Sequence, residues 1–282
     1  MQLAWNLPEI APKVDALFAK WDKLDSPGCT VAVIHDGEVI YQRGVGMANL
    51  EYEIPNQPGT IYHVASISKQ FTAFAVQLLA SEGKLSLDDD VRKHVPELHD
   101  FGFPLTVRHL IHHTSGLRDQ WNLLGVAGWR SGDVITEDDI LKIVWRQREL
   151  NFEPGSEKYY SNTGYTLLGL IVKRVAGVSL RQFCQERIFA PLGMTRTHFH
   201  DDNAEIVHGR AYSYSQSPTG KFQHFPLQYS NVGATSLFTT VEDMSLWDRN
   251  FDSPIVGDET LLAEMHKGGV LNDGVGRLCG RP

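Results

Sequence analysis

Ser66 and Lys69 form an S-x-x-K motif at the start of a mostly apolar segment, residues 66–79. Residues three apart share one face of a helix, so the serine Oγ and the lysine Nζ can meet there. A serine hydroxyl is a weak nucleophile until a base takes its proton, and a lysine serves as that base when burial lowers its pKa. The apolar helix supplies such burial. The motif alone is also common by chance, and the other interpretation is a capping serine beside a surface lysine.

Tyr160 and Asn162 follow a Pro-Gly loop and precede another predicted helix. A tyrosine phenol near a lysine can relay a proton to a leaving group. An asparagine amide can hold a substrate carbonyl or position the lysine. The two residues also fit a plainer interpretation, in which Asn162 caps the helix and Tyr160 is half-buried.

Hydrophobic periodicity places these residues among elements of two kinds. Apolar residues at helical spacing predict an amphipathic helix over 10–24. Two β-branched runs, 29–34 and 39–43, flank the dipeptide Asp36-Gly37, which is typical of a β-hairpin turn. Further helices are predicted at 66–79, 107–112, 137–148, 163–176, 180–189 and 241–250. Strands followed by a long helical region predict an α+β fold rather than alternating βαβ units.

The 282 residues fit one large domain or two interlocked ones. We predict three regions. Residues 1–62 hold the N-terminal helix and the hairpin of an α/β region, and residues 63–200 form a mostly helical region that carries Ser66 and Tyr160. Residues 201–282 form a mixed tail, the incomplete C-terminal part of the α/β region.

Composition excludes several classes of function. Lys and Arg number 26 and Asp and Glu number 34, so the net charge is −8. This balance argues against a broad nucleic-acid surface. Lys173 and Arg174 interrupt the longest apolar stretch, so we predict no transmembrane segment. The N-terminus shows no basic region followed by an apolar one, and we expect a cytoplasmic protein, or a periplasmic one if a signal peptide was removed.

Metal and cofactor motifs are not evident in the sequence. The three cysteines are widely spaced and form no metal-binding pair: Cys29, Cys184 and Cys279. His109 and His113 are four residues apart, as zinc ligands on a helix are, but Leu110 stands where the metalloprotease motif needs glutamate. Neither a P-loop nor a G-x-S-x-G motif is present. We therefore expect no metal and no cofactor.

Taken together, the motifs resemble those of the serine β-lactamase and penicillin-binding-protein superfamily. The chain is most similar to the class C β-lactamase-like branch, which includes D-alanyl-D-alanine carboxypeptidases and family VIII carboxylesterases. The matching stretches are S-x-x-K with F-T-A at 66–73, GKLSLDD at 83–89, LTVRHLIHHTSGL at 105–117, residues 154–162, PLGM at 191–194 and TTVEDM at 239–244. The resemblance implies an antiparallel sheet with flanking helices beside a mostly helical region.

The resemblance also implies roles for the four candidate residues. Ser66 would attack a carbonyl carbon and form an acyl-enzyme, with Lys69 and Tyr160 as base and proton relay. Asn162 would bind the amide or ester side group of the substrate. The backbone N–H of Ser66 would be one donor to the oxyanion, a contact worth a few kcal/mol in such sites.

One element of the superfamily, a K-T-G or H-x-G sequence on a strand near the C-terminus, cannot be placed here. K-G-G at 267–269 follows a predicted helix end, and H-G-R at 208–210 lies close to Tyr160 in sequence, so both matches are weak. In the superfamily the last strands normally begin at the position of residues 271–274, but this chain stops at Pro282. We therefore expect a C-terminally truncated sheet, whose exposed hairpin edge favours a homo-oligomer.

We predict a serine hydrolase that forms an acyl-enzyme with a small ester, a β-lactam or a D-alanyl peptide. An esterase is the first choice, because small-ester hydrolysis asks least of a site that lacks one wall. The alternative is an impaired homologue that binds a ligand or a partner without turnover.

Overall fold

The computed structural model describes residues 7–130, 132–274 and 276–277. The helices α1 to α11 are, in order, Leu7–Phe18, Ser68–Ser81, Val91–His94, Val107–Ile111, Gln120–Val126, Glu137–Val144, Asn162–Ala176, Leu180–Cys184, Ala190–Leu192, Val241–Asp252 and Glu259–Met265. The strands β1 to β11 are, in order, Cys29–His35, Glu38–Val45, Met47–Asn49, Ile54–Pro55, Tyr62–His63, His198–Phe199, Tyr214–Gln216, Phe222–His224, Leu237–Thr239, Gly269–Val270 and Gly276–Arg277. The strands pair in small antiparallel sheets, and the predicted α+β class is confirmed.

Two long helices form the centre of the core. Helix α2 packs against α7, and α8 and α11 also contact α2. Phe71 and Phe74 of α2 are fully buried, and both rings contact Trp247 of α10. The sequence pattern, a helix apolar on most of its sides, is therefore explained by neighbours that surround α2. This burial decides the environment of every polar side chain that α2 carries inward.

The N-terminal hairpin has the predicted turn. Asp36 and Gly37 both have positive φ, 49° and 74°, which is the conformation of a type I′ turn. Helix α10 packs on the hairpin, and Arg249 donates a hydrogen bond of 2.6 Å to the Gly37 carbonyl. The predicted N-terminal helix extended to residue 24, but α1 ends at Phe18. The chain turns there, and Asp22 forms an ion pair of 2.6 Å with Arg43 of β2.

A three-stranded sheet of order β5-β9-β6 connects distant parts of the chain. Just after β5, the Val64 N–H donates to the Leu237 carbonyl at 3.0 Å, and the Leu237 N–H donates to Ser68 Oγ at 3.0 Å. These bonds fix the short 3₁₀ turn Ala65–Ile67 that leads into α2. Ala65 has a φ of +47°, in the left-handed region that is unfavourable for a residue with a Cβ. The turn places Ser66 at the surface, directly before the buried helix.

The division into regions 1–62, 63–200 and 201–282 stays a prediction. No helix among the described residues is both long and apolar enough to cross a bilayer. Of the three cysteines, Cys29 and Cys184 are free thiols, and Cys279 lies outside the described residues.

The conformation of Ala65 leads to a stability prediction. A left-handed backbone costs a non-glycine residue about 1–2 kcal/mol, and glycine avoids that cost. We expect Ala65→Gly to raise the free energy of unfolding by up to about 1 kcal/mol, since part of the gain is offset by the freedom of glycine in the unfolded chain. Chemical denaturation measures the change. The control is Ala75→Gly within α2, which should lower stability by about 1 kcal/mol or more, and an equal loss in both variants would contradict the strain at Ala65.

Candidate active site

Ser66 lies where three of the predicted site residues converge. Its Oγ is 2.6 Å from the phenol oxygen of Tyr160 and 3.1 Å from Nζ of Lys69. The serine side chain is exposed, whereas Lys69, one turn further along, is only 3% exposed. The S-x-x-K spacing therefore gives one helix face a solvent-accessible hydroxyl at the surface and a buried amine directly beneath it.

The Lys69 amine has three oxygen neighbours. Nζ donates to Asn162 Oδ1 at 2.9 Å and to the Ala234 carbonyl at 2.6 Å. Both oxygens are acceptors only, so they take two N–H groups of the amine. Burial lowers the pKa of Lys69 to about 7, against a smaller opposing effect of the Asp119 carboxylate. A neutral amine keeps two N–H groups and one lone pair, and that lone pair is left to face the hydroxyl of Ser66.

Tyr160 meets Ser66 from the other side. Burial raises the pKa of its phenol, the hydrogen bond with Ser66 opposes this, and the Asp119 charge adds to it. The phenol is therefore protonated near neutral pH and can donate to Ser66 Oγ. Its ring packs on His113 with 4.5 Å between ring centroids, and His113 Nδ1 accepts a hydrogen bond of 3.2 Å from the Ser161 N–H. His113 thus fixes both the ring and the backbone next to Tyr160.

Asn162 is oriented by a carboxylate. Oδ2 of Asp119 accepts from the Asn162 backbone N–H at 2.7 Å and from Asn162 Nδ2 at 2.8 Å. With Nδ2 held there, Oδ1 points at Lys69. The other oxygen, Asp119 Oδ1, accepts from the Trp121 N–H at 2.9 Å and caps α5. Asn162 is the first residue of α7 and Ser161 its N-cap, so the interpretation of Asn162 as the cap is wrong.

The segment that supplies the Ala234 carbonyl crosses α7 at very close range. Gly233 has a φ of +98°, and a Cβ on it would lie 2.4 Å from the Tyr165 carbonyl oxygen. Only glycine fits both the conformation and the space. Thr72 of α2 holds the segment by donating to the Gly233 carbonyl at 2.8 Å.

Three contributors to this site were not predicted: Asp119, the ring of His113 in contact with Tyr160, and the Ala234 carbonyl. Asp119 lies in the stretch just after the matching motif 105–117, and an acid two residues beyond it was the available signal. The Ala234 carbonyl could not be predicted from the sequence, because every residue type has a backbone carbonyl.

The two weak matches to the K-T-G or H-x-G element, at 267–269 and 208–210, lie away from this site. Lys267 forms an ion pair with Glu264 at the end of α11, and His208 lines a separate cavity of about 700 Å³. Among the described residues, neither contacts Ser66 or Lys69. His109 and His113 also differ from a zinc pair, since the Nδ1 of His109 accepts from the Thr106 N–H at 3.2 Å within a capping box.

Comparison with known proteins establishes the family. The model of the protein family described as Beta-lactamase matches residues 14–276 of this chain. The chain belongs to the beta-lactamase family. Members of this family are serine acyl-transfer hydrolases. The structure resembles that of the octameric penicillin-binding protein homologue from Pyrococcus abyssi, with a TM-score of 0.79 and 30% identity, over 96% of this chain and 61% of that one.

Two curated relatives within the beta-lactamase family are also similar. Penicillin-binding protein 4* of Bacillus subtilis (strain 168) is 34% identical over 66% of this chain and 41% of its own length. A D-aminopeptidase of Gluconobacter oxydans (strain 621H) is 30% identical over 89% of this chain and 47% of its own length. The chain therefore spans less than half the length of these two relatives.

The lowered pKa of Lys69 gives a stability prediction with a definite sign. Between pH 7 and 10.5 the unfolded lysine binds a proton that the folded one does not, so the stability of the wild type gains from rising pH in this window. Lys69→Met removes the group. We expect the stability of Lys69→Met relative to wild type to fall steadily as the pH rises through this window. The variant also leaves two hydrogen-bond acceptors unpaired, but that loss of stability does not change with pH. Urea unfolding at several pH values measures the slope, and a difference independent of pH would contradict the lowered pKa.

Proposed function

We propose that this chain is a serine hydrolase in which Ser66 forms an acyl-enzyme with small carboxylic esters. The observation that carries the proposal is the position of the Lys69 amine, 3.1 Å from Ser66 Oγ and in hydrogen-bond contact with Asn162 Oδ1 and the Ala234 carbonyl. In its neutral form the amine gives its two N–H groups to those two acceptors and keeps its lone pair for the Ser66 hydroxyl. A base in contact with the nucleophile, oriented by a third group, is the arrangement that nucleophilic catalysis requires.

In the first half of the reaction, Ser66 Oγ attacks the ester carbonyl carbon while its proton moves to Lys69 Nζ. The resulting tetrahedral oxyanion collapses and breaks the bond to the alcohol oxygen. Tyr160 donates its phenolic proton to that oxygen and regains a proton from Lys69, so the charges balance. A water molecule then repeats the sequence on the acyl-enzyme and releases the acid. The two roles suit groups that are both neutral at the start.

The backbone N–H of Ser66 supports this assignment. Among the described residues no acceptor takes a hydrogen bond from it, so it is available to the oxyanion. We assign no second donor. Removing one donor from an oxyanion site lowers kcat by about 10²–10³-fold. An ester, whose alcohol leaves more readily than an amine, is the substrate that depends least on such donors.

A second substrate class is the amide of a D-amino acid. The similarity to a D-aminopeptidase over most of this chain favours it. β-Lactams and D-alanyl peptides are the other classes that the sequence predicts. Binding without turnover is the alternative outcome, and self-association of this chain stays a prediction.

The proposal is tested with a p-nitrophenyl ester and a penicillin, each incubated with the protein and followed by intact mass and by product release. We expect an adduct or turnover that disappears in Ser66→Ala, because the Ser66 hydroxyl is the one that lies in hydrogen-bond contact with the Lys69 amine among the described residues. The matched control is Ser81→Ala at the far end of the same helix, which should behave as wild type. Activity that survives in Ser66→Ala would exclude Ser66 as the nucleophile, and no adduct with any substrate class would favour the binding protein.

The pH dependence of ester hydrolysis tests Lys69 as the base. The rate should rise with pH through about 7, as Lys69 loses its proton. Because the charge of Asp119 raises the Lys69 pKa, Asp119→Asn should move this rise in rate, the ascending limb of the pH profile, to lower pH. The control is Asp138→Asn on α6, which removes an exposed charge and should leave the limb in place. A limb that does not move in Asp119→Asn, or that moves to higher pH, would contradict the assignment.

A further inference from the structure

A second group of potentially reactive side chains lies on β6 and in the loop after it. His198 is in β6, and His200 is the first residue after the strand. Glu205 follows in the loop. Each of the three offers one ligand atom, and these atoms all lie within 4.8 Å of one another. None of them takes part in the site at Ser66.

The imidazoles leave two buried nitrogens without hydrogen bonds. Nε2 of His198 and Nδ1 of His200 have no partner among the described residues, and the His200 side chain is 4% exposed. The nearest acid, Glu205 Oε2, is 3.7 Å from His200 Nδ1, which is too long for a hydrogen bond. A buried polar atom left without a partner lowers the stability of the folded state. The two nitrogens are therefore available to donate their lone pairs to one metal ion.

We propose that His198, His200 and Glu205 bind one divalent transition-metal ion of the zinc type, with water in the remaining position. Two histidines and one glutamate are a donor set that zinc takes in proteins. With metal–ligand distances of about 2.0–2.2 Å, a tetrahedral site needs its donors about 3.4 Å apart. The His200–Glu205 separation of 3.7 Å is already close to this value. The donor atoms are at most 4.8 Å apart, so side-chain rotations that shorten their separations by up to about 1.4 Å complete the site.

The neighbours of the three residues suit this role. Both histidine rings pack on Phe238, at 5.6 Å and 4.7 Å between centroids, which fixes their orientation. Arg181 holds the Glu205 carboxylate through two hydrogen bonds of 2.5 Å and 2.8 Å. Carboxylate ligands of metals are commonly held by such outer hydrogen bonds.

The charges around the group favour nitrogen-binding metals over hard cations. Arg181 and Arg210 face the histidines with positive charge, and Glu205 and Asp201 with negative charge, so the formal charges cancel. With no excess of negative charge, Mg²⁺ and Ca²⁺ gain little here, whereas Zn²⁺ and Co²⁺ gain from two imidazole nitrogens.

The test uses the full chain without a polyhistidine tag, first stripped with a chelator. Titration with Co²⁺ near neutral pH is followed by visible absorption, and Zn²⁺ is added to displace it. We expect one equivalent of Co²⁺ to bind and to give the visible absorption of four-coordinate, tetrahedral Co²⁺. Zn²⁺ should raise the melting temperature, and Mg²⁺ and Ca²⁺ should not. The readouts do not depend on hydrolysis, so this proposal can fail independently of the proposed function.

Variants assign the site. His198→Ala and Glu205→Gln should each weaken Co²⁺ binding at least about tenfold, and His200→Ala should do the same if the buried position tolerates it. The matched control is His208→Ala, an exposed histidine three residues beyond Glu205, which should bind as wild type. No binding by wild type, equal binding in His198→Ala and Glu205→Gln, or equal stabilisation by Mg²⁺ would each overturn the proposal.

Discussion

The burial of one lysine amine is the constraint on which the candidate active site depends. An ammonium taken out of water loses its hydration, and the neutral form is then favoured unless charges replace that hydration. Around Lys69 the protein supplies two uncharged acceptors, on Asn162 and Ala234, and the Asp119 carboxylate at longer range. The result is an amine that, in its neutral form, gives its two protons to these acceptors and keeps its lone pair for the Ser66 hydroxyl.

Several features far apart in the chain serve this arrangement. Helix α7 covers α2 and starts with Asn162, and Asp119 fixes which end of the Asn162 amide faces the lysine. Gly233 lets the backbone pass close enough to α7 to present the Ala234 carbonyl. The strained Ala65 places the serine hydroxyl at the surface while the lysine stays inside. Each feature has a local energetic explanation, and together they position three oxygens around one nitrogen.

Much of this could be predicted from local sequence. The S-x-x-K spacing predicts that Ser66 and Lys69 share a helix face, and Asp36-Gly37 predicts the hairpin turn. The contacts that orient the site were beyond such reasoning, because they join residues 43 positions apart, as between Asp119 and Asn162, or 165 apart, as between Lys69 and Ala234. Contacts of that kind depend on tertiary packing and on backbone atoms, which carry no side-chain signature. The end of α1 was missed for a related reason, since Trp21 and Leu24 continue the helical period although the chain has already turned toward β2.

The most direct test of this account is the protonation of Lys69 itself. In protein labelled with ¹³C at the lysine side chains, NMR titration follows each ε-carbon with pH, and the spectrum of Lys69→Met identifies the signal of Lys69. The account predicts that this lysine titrates near pH 7, while solvent-exposed lysines titrate near 10.4. A Lys69 signal that titrates with the exposed lysines would show that the amine is charged at neutral pH, and would contradict its assignment as the base.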